Sequence, residues 1–193
     1  MNRAVFLDRD GTINEEMGYI NHPDRFKIFP FIPESISLLN QLNYKVIIVT
    51  NQSGVARGYF TESLVIKLHR KLIKYLKENN AHIDAIYYCP HHPTEGTGKY
   101  KLNCNCRKPK SGMIDRAVKE LKIDLNRSYL IGDRYKDIVF AKKMKIRAGL
   151  VMTGYGKGEY LYQRKSWKVM PDIIGENLLE IVRFIYKNEQ RKD

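Results

Sequence analysis

Five short apolar runs punctuate the chain: Ala4 to Leu7, Val46 to Val49, Ile83 to Tyr88, Tyr129 to Ile131 and Gly149 to Met152. Most are apolar at consecutive positions, the pattern of strands covered on both faces. Between them the spacing becomes helical, in "PESISLLNQLN" from Pro33, "TESLVIKLHRKLIKYLKEN" from Thr61, "SGMIDRAVKELK" from Ser111 and "RYKDIVFAKKMK" after Asp133. In the second of these, Leu64, Leu68, Leu72 and Leu76 recur every fourth residue and Val65 and Ile73 widen the stripe. Thr61 stands where a hydroxyl can cap the first turn. Alternating strands and helices of this length predict parallel pairing through right-handed crossovers. The fold class is therefore α/β, a Rossmann-like open parallel sheet with helices on both faces. A last pair, "MPDII" and "GENLLEIVRFIYK", predicts an edge strand and a closing helix.

In such sheets ligands sit outside the carboxyl ends of the strands. Four polar clusters fall there: "DRDGT", "TNQSG", "CRKPK" and "GDRYKD". Asp8 and Asp10 repel each other unless a cation or a proton is shared, and a third carboxylate at Asp133 points to a metal between strand ends. Oxygen donors favour Mg²⁺, which takes one or two carboxylates, substrate phosphate and waters. An aspartate can also attack phosphorus and form an aspartyl-phosphate, which divides one hard displacement into two easier ones. Lys108, the Thr50 hydroxyl and the backbone amides of Asp10, Gly11 and Asn51 are candidates to cradle the phosphoryl oxygens. Asp10, two positions on, can give a proton to the leaving alcohol and later take one from water.

Composition narrows the setting. At 193 residues and 43% hydrophobic content, residues 1–193 are expected to form one domain. The longest purely aliphatic run is far short of the roughly 20 residues that span a bilayer, so no membrane partner is expected. "MNRAVFLDRD" carries no secretory leader, which predicts a cytoplasmic protein. A formal charge of +13 predicts attraction for anions, with Lys-rich helix faces and the tail "YKNEQRKD" as the ordinary solvated source of that excess. All three cysteines lie between Cys89 and Cys106, which suits a metal site better than a disulfide framework. Cys89, His91, Cys104 and Cys106 complete a tetrahedral set for structural Zn²⁺ on a loop over 89–106, with His92 the rival of His91. Because Cys106 precedes Lys108 by two residues, zinc would also fix where Arg107 and Lys108 point.

"DRDGT", "TNQSG", "RKP" and "GDRYKD" together resemble the four motifs of the haloacid dehalogenase superfamily of aspartate-nucleophile phosphatases. The resemblance implies Asp8 as nucleophile, Asp10 as general acid and base, and Thr50 and Lys108 on the phosphoryl group. It implies Mg²⁺ held by Asp8, the Asp10 carbonyl and Asp133, with Asp137 binding through water or orienting Lys108. "CPHHP" with "CNCRKPK" resembles the zinc-containing branch that holds the heptose bisphosphate phosphatases and the histidinol phosphatases. "TNQSGVARGYF" and "FLDRDGTINEEMGYI" are similar to its heptose members. The implied activity is Mg²⁺-dependent removal of the 7-phosphate from a heptose 1,7-bisphosphate, on the route to nucleotide-activated heptose for lipopolysaccharide. Histidinol phosphatase stands as the alternative, since Arg134 is at least as typical of that branch.

The intervals from Thr12 to Thr50 and from Thr50 to Lys108 are too short for a cap domain, so short loops are expected to shape the mouth of the site. Arg57, Arg107 and Arg134 are candidates for a second phosphate, which a guanidinium matches bidentately. Asn51, Glu15 and Tyr19 are further candidates for substrate contact. The basic charge and "YKLNCNCRKPK" also suggest a nucleic-acid-binding module or a nucleic-acid 3′-phosphatase. Three aspartates beside a phosphate backbone would repel it, which counts against the binding module, whereas a 3′-phosphatase shares the first motifs and is not excluded by charge; the partner that the resemblance implies is a small phosphorylated sugar and not a nucleic acid. No element looks left with an uncovered apolar face, which predicts a monomer.

Overall fold

In the computed structural model, which describes residues 1–190, six parallel strands carry the chain. They are β1 (Ala4–Leu7), β2 (Lys45–Asn51), β3 (Ala85–Cys89), β4 (Tyr129–Gly132), β5 (Arg147–Val151) and β6 (Ile173–Gly175), in the order β3-β2-β1-β4-β5-β6. The chain winds outward from β1 through β2 to β3, then returns to place β4 on the other side of β1. The topological switch point lies between β1 and β4, where the connections depart in opposite directions and open a crevice at the carboxyl ends. Register is set across that seam by Phe6 opposite Leu130 and Leu7 opposite Ile131.

Alternation along the strands feeds two cores. Val5, Leu7, Val46 and Ile48 pack beneath α1 (Ile32–Gln41), α2 (Glu62–Glu78) and α6 (Leu178–Glu189). Ala4, Phe6, Ile47 and Val49 face α3 (Gly112–Leu121) and α4 (Tyr135–Lys143), with Tyr160 of α5 (Gly156–Gln163) at the margin. Both faces of the sheet are therefore covered, and the strands read as continuous apolar runs for that reason.

Two elements differ from expectation. On α2, Thr61 does cap the first turn, accepting from the Leu64 amide at 3.3 Å. The buried stripe, however, runs Val65, Leu68, His69, Leu72 and Leu76, and Ile73 lies on the exposed side. A histidine thus takes an inward position that the apolar pattern assigned to neighbours. Helix α5 is an additional element: "GKGEYLYQ" has two glycines in its first three residues, each about 1 kcal/mol poorer than alanine in a helix. Tertiary contacts hold it instead, with Glu159 accepting from the Tyr135 amide at 2.6 Å and from Arg134 Nε at 3.0 Å.

Between Thr12 and Thr50 the described residues contain one short 3₁₀ turn, Pro23–Arg25, then α1 and most of β2. Between Thr50 and Lys108 they contain α2, β3 and the cysteine loop with its turn Gly98–Tyr100. Neither interval holds a separate cap, and the crevice opens directly onto loops. No helix among the described residues is long and apolar enough to cross a membrane. Residues 191–193 of the basic tail lie outside the described residues.

Candidate active site and metal centres

Three strand ends and one loop converge at the switch point. Asp8 directly follows β1, Thr50 and Asn51 end β2, and Asp133 follows β4. Lys108 arrives from the cysteine loop and places Nζ 3.2 Å from Asp8 Oδ2 and 2.7 Å from Asp137 Oδ1. Asn51 holds the backbone of that lysine at both ends: its side-chain oxygen accepts from the Lys108 amide at 3.0 Å, and its Nδ2 donates to the Lys108 carbonyl at 3.1 Å. Lys108 is buried, and burial is the largest influence opposing its charge; Asp137 and Asp8 outweigh it and carry the pKa above the ordinary lysine value. Burial pushes the Asp8 carboxyl up, and the charges of Asp137 and Asp10 add to that, while Lys108 opposes.

The carboxylates fit a hard divalent cation. Asp8, Asp133 and Asp137 each offer an oxygen, all within 4.8 Å of one another. Asp137 Oδ2 is buried with no hydrogen-bond partner, an orphan that a cation or its water would satisfy. Asp133 accepts from the Tyr155 amide at 2.9 Å, yet burial and then the charge of Asp8 push its pKa up to about 8. A carboxylate strained in this way gains most from a metal. Its crowding is allowed by glycine: a Cβ on Gly11, at φ +79°, would come within 2.2 Å of Asp133 Oδ2, and one on Gly154, at φ +56°, equally so. Only glycine combines that close approach with a left-handed backbone.

The second donor set is soft. Cys89, His91, Cys104 and Cys106 also fall within 4.8 Å of one another, and none of the cysteines is disulfide-bonded. Cys106 Sγ lies 3.0 Å from Cys89 Sγ and 3.1 Å from Cys104 Sγ, and His91 Nδ1 is 3.3 Å from Cys106 Sγ. Burial raises the Cys89 and Cys106 thiols; it also opposes Cys104, but hydrogen bonds from the other two sulfurs prevail and lower that thiol to about 6. Three sulfurs and one imidazole converging without a disulfide suit a structural ion such as Zn²⁺. His92 is turned elsewhere: its Nε2 meets Arg57 at 3.3 Å and its Nδ1 accepts from the Glu95 amide at 2.9 Å.

A cavity of about 230 Å³ opens over the carboxylates. Asp8, Asp10, Thr50, Asn51, Lys108 and Asp133 form its floor, and Glu16, Tyr19, Arg134, Lys136 and Tyr155 its walls. Arg134 is held by Glu159 and lies over the Tyr155 ring at 4.2 Å. The bond to Glu159 uses Nε, and Arg134 lines the cavity. The other two predicted cations are not among the lining residues. Arg57 leans on His92 and Glu95, and Arg107 donates to the His91 carbonyl at 3.3 Å, so both serve the cysteine loop here. Glu15 lines an adjoining cleft with Phe29 and Gly154. A larger cavity of about 460 Å³ lies at the β3 edge, but its one carboxylate, Glu62, is taken by the hydroxyls of Tyr88 and Tyr100 at 2.9 and 2.7 Å. The carboxylate-lined cavity is where chemistry is equipped.

Several residues of the site carried no sequence assignment. Lys136, Glu16 and Tyr155 line the cavity. Asp10 is encircled: its oxygens accept from Arg9 Nε and Nη2, from Asn14 Nδ2 at 2.9 Å and from Gln52 Nε2 at 2.8 Å. Asn14 and Gln52 stand inside "DRDGTIN" and "TNQSG", and their place in those strings was the available signal.

Comparison with known proteins agrees with this fold. A family model described as HAD-hydrolase-like matches residues 105–181. The D-glycero-β-D-manno-heptose-1,7-bisphosphate 7-phosphatase of Haemophilus influenzae is 44% identical over 180 residues, covering 90% of this chain and 97% of that protein. The protein of the same description from Escherichia coli K12 is 38% identical over 156 residues, covering 78% and 82%. Among solved structures, a D,D-heptose 1,7-bisphosphate phosphatase from B. bronchiseptica, complexed with magnesium and phosphate, aligns with a TM-score of 0.84 at 28% identity over 96% of this chain and 99% of that one. Chain length and fold are thus shared with a known group, and the chain belongs to the heptose bisphosphate phosphatase family of haloacid dehalogenase-like hydrolases.

Proposed function

We propose that the chain hydrolyses the 7-phosphate of D-glycero-β-D-manno-heptose 1,7-bisphosphate through a phosphorylated Asp8, supplying heptose 1-phosphate for nucleotide activation. The observation that carries the reading is the Asp8 carboxylate beside a buried lysine, 3.2 Å away, with Asp133 and Asp137 completing an acidic set at the switch point. An Asp8 oxygen bonds to phosphorus as the bond to the C7 oxygen breaks, and Asp10 gives its proton to the leaving alkoxide. A water oxygen then bonds to phosphorus, Asp10 takes its proton, and the bond to Asp8 breaks to release inorganic phosphate. Lys108, the Thr50 hydroxyl and nearby amides stabilise charge on the equatorial oxygens. Mg²⁺, held by Asp8, Asp133, the Asp10 carbonyl and, directly or through water, Asp137, would offset the charge of the phosphoryl group against the carboxylates.

Arg134 and Lys136 on the cavity wall suit the remaining 1-phosphate, and Tyr19 and Glu16 stand where sugar hydroxyls would come. A small mouth built from loops favours a small sugar ester over a polymer. Zn²⁺ on the cysteine loop would act by position: Arg107, next to Cys106, donates to the His91 carbonyl, and Lys108 follows at once. A panel of both heptose bisphosphate anomers, histidinol phosphate and a 3′-phosphorylated oligonucleotide tests the reading by phosphate release. The β anomer is expected to show the highest kcat/KM. A clear preference for histidinol phosphate or the oligonucleotide would overturn the substrate assignment.

A further inference from the structure

Arg9, between the two aspartates of "DRD", is the largest fully buried side chain among the described residues, only 1% exposed. Burying a guanidinium is costly unless its donors are matched, so its partners show what it is for. Nε and Nη2 donate to Asp10 Oδ1 at 3.1 and 2.9 Å, and Nη2 reaches Asp10 Oδ2 at 2.9 Å. Nη2 also meets Gln52 Oε1 at 3.0 Å, and Nη1 meets His69 Nε2 at 3.2 Å. The plane lies against the Phe26 ring, 5.4 Å from its centroid. Burial, and then the charge of Arg9, lower the His69 pKa to about 3, with Asp10 opposing, so His69 stays neutral and accepts from Arg9. Gln52 closes the circuit by donating Nε2 to Asp10 Oδ2 at 2.8 Å and to Thr50 Oγ1 at 3.0 Å.

We propose that Arg9 is a positioning residue, which with His69 behind it and Gln52 beside it fixes the direction of the Asp10 carboxylate toward the reacting phosphoryl group. The inference rests on the phosphatase reading above. Asp10 must serve twice, giving a proton to the leaving oxygen and then taking one from water, and both atoms lie along one line through phosphorus. A carboxylate free to rotate would meet that line only part of the time. A planar fork that engages both oxygens removes the rotation, which a lysine point charge does not. Arg9 itself transfers no proton. The link from Gln52 to Thr50 ties the acid–base group to a side chain proposed to hold the phosphoryl oxygens, so the two keep register. Arg9 is almost wholly shielded from solvent and is not among the residues that line the carboxylate cavity.

The test uses Arg9→Lys, Arg9→Met and His69→Leu with two esters, the heptose bisphosphate and 4-nitrophenyl phosphate. The sugar alkoxide needs a proton to leave, whereas 4-nitrophenolate does not. Both Arg9 variants are expected to lose about 10²-fold in kcat on the heptose ester with KM little changed. On the aryl ester the first turnover is expected to keep near-parental speed and then slow, giving a burst of about one nitrophenolate per site, because the second step still needs Asp10. His69→Leu is expected to shift the same way by less. Equal loss of both phases, or parental turnover of the heptose ester, overturns the proposal. If neither Arg9 variant folds, His69→Leu decides alone: a burst supports it and parental kinetics overturn it. A parent chain that cleaves neither ester would instead overturn the phosphatase reading and this inference with it.

Discussion

Lys108 shows most directly how single residues are balanced in this site. Its ammonium lies between two buried carboxylates, 3.2 Å from Asp8 and 2.7 Å from Asp137. Removing one partner of such a cluster leaves uncompensated charge and costs about 3–5 kcal/mol. Lys108→Met is therefore expected to lower unfolding free energy by about 3 kcal/mol in chelator, with part of the loss recovered in Mg²⁺. Denaturant titrations with and without the metal check this, and an unchanged midpoint without metal would contradict it. At this scale Asp8, Thr50, Asn51 and Asp133 were legible, because each stands at a strand end that the apolar runs already marked, and Lys108 was legible from its place just after the cysteine loop. The partners of Arg9 were not: Gln52 and His69 are 43 and 60 positions away, and side-chain direction across such distances is set by packing that no local pattern encodes.

Elements transmit what single residues need. Helix α2 presents His69 inward to Arg9, Asp10 and the Tyr88 ring, and burial holds its pKa at about 3. As pH falls below the ordinary histidine value of about 6.5, the unfolded chain takes up a proton that the folded chain refuses until about pH 3. The unfolded state then binds more protons, and stability drops on acidification across that window, by at most about 1.4 kcal/mol per pH unit from this group. His69→Leu should flatten the stability profile between pH 6 and 4; parallel profiles for parent and variant would count against the assignment.

The cysteine loop is the second such element. Cys106→Ser is expected to lower zinc content below one per chain by metal analysis and to cost about 10²-fold in kcat, since a misplacement of Lys108 by about 1 Å is enough for that. Full activity in zinc-depleted protein would contradict the positional role. Strands and amphipathic helices were legible as elements because burial imposes their periods. Helix α5 was not, since its glycines argue against a helix and its hold comes from Glu159 bonding back to Arg134 and Tyr135. His69 lies on the arc of buried positions with Val65, Leu68, Leu72 and Leu76, and Ile73, one turn further on, falls at its exposed margin.

At the scale of the molecule, topology does the assembling. Winding outward from β1 to β3 and back to β4 puts Asp8 and Asp133 on opposite sides of one crevice, and the cysteine loop delivers Lys108 over it. The α/β class and the strand-end clusters could be read from alternation alone. The shape of the mouth could not, because it depends on loop paths: Arg134 faces the cavity, while Arg57 and Arg107 turn to the cysteine loop.

The central claim is that Asp8 at this crevice removes one particular phosphate from a sugar bisphosphate. Phosphorus NMR of D-glycero-β-D-manno-heptose 1,7-bisphosphate incubated with Mg²⁺ and the parent chain, with Asp8→Asn in parallel, tests it most directly. The account predicts loss of the C7 resonance, an intact C1 phosphate and at least about 10³-fold slower conversion by Asp8→Asn. Loss of the C1 phosphate instead, or parental conversion by Asp8→Asn, would contradict it.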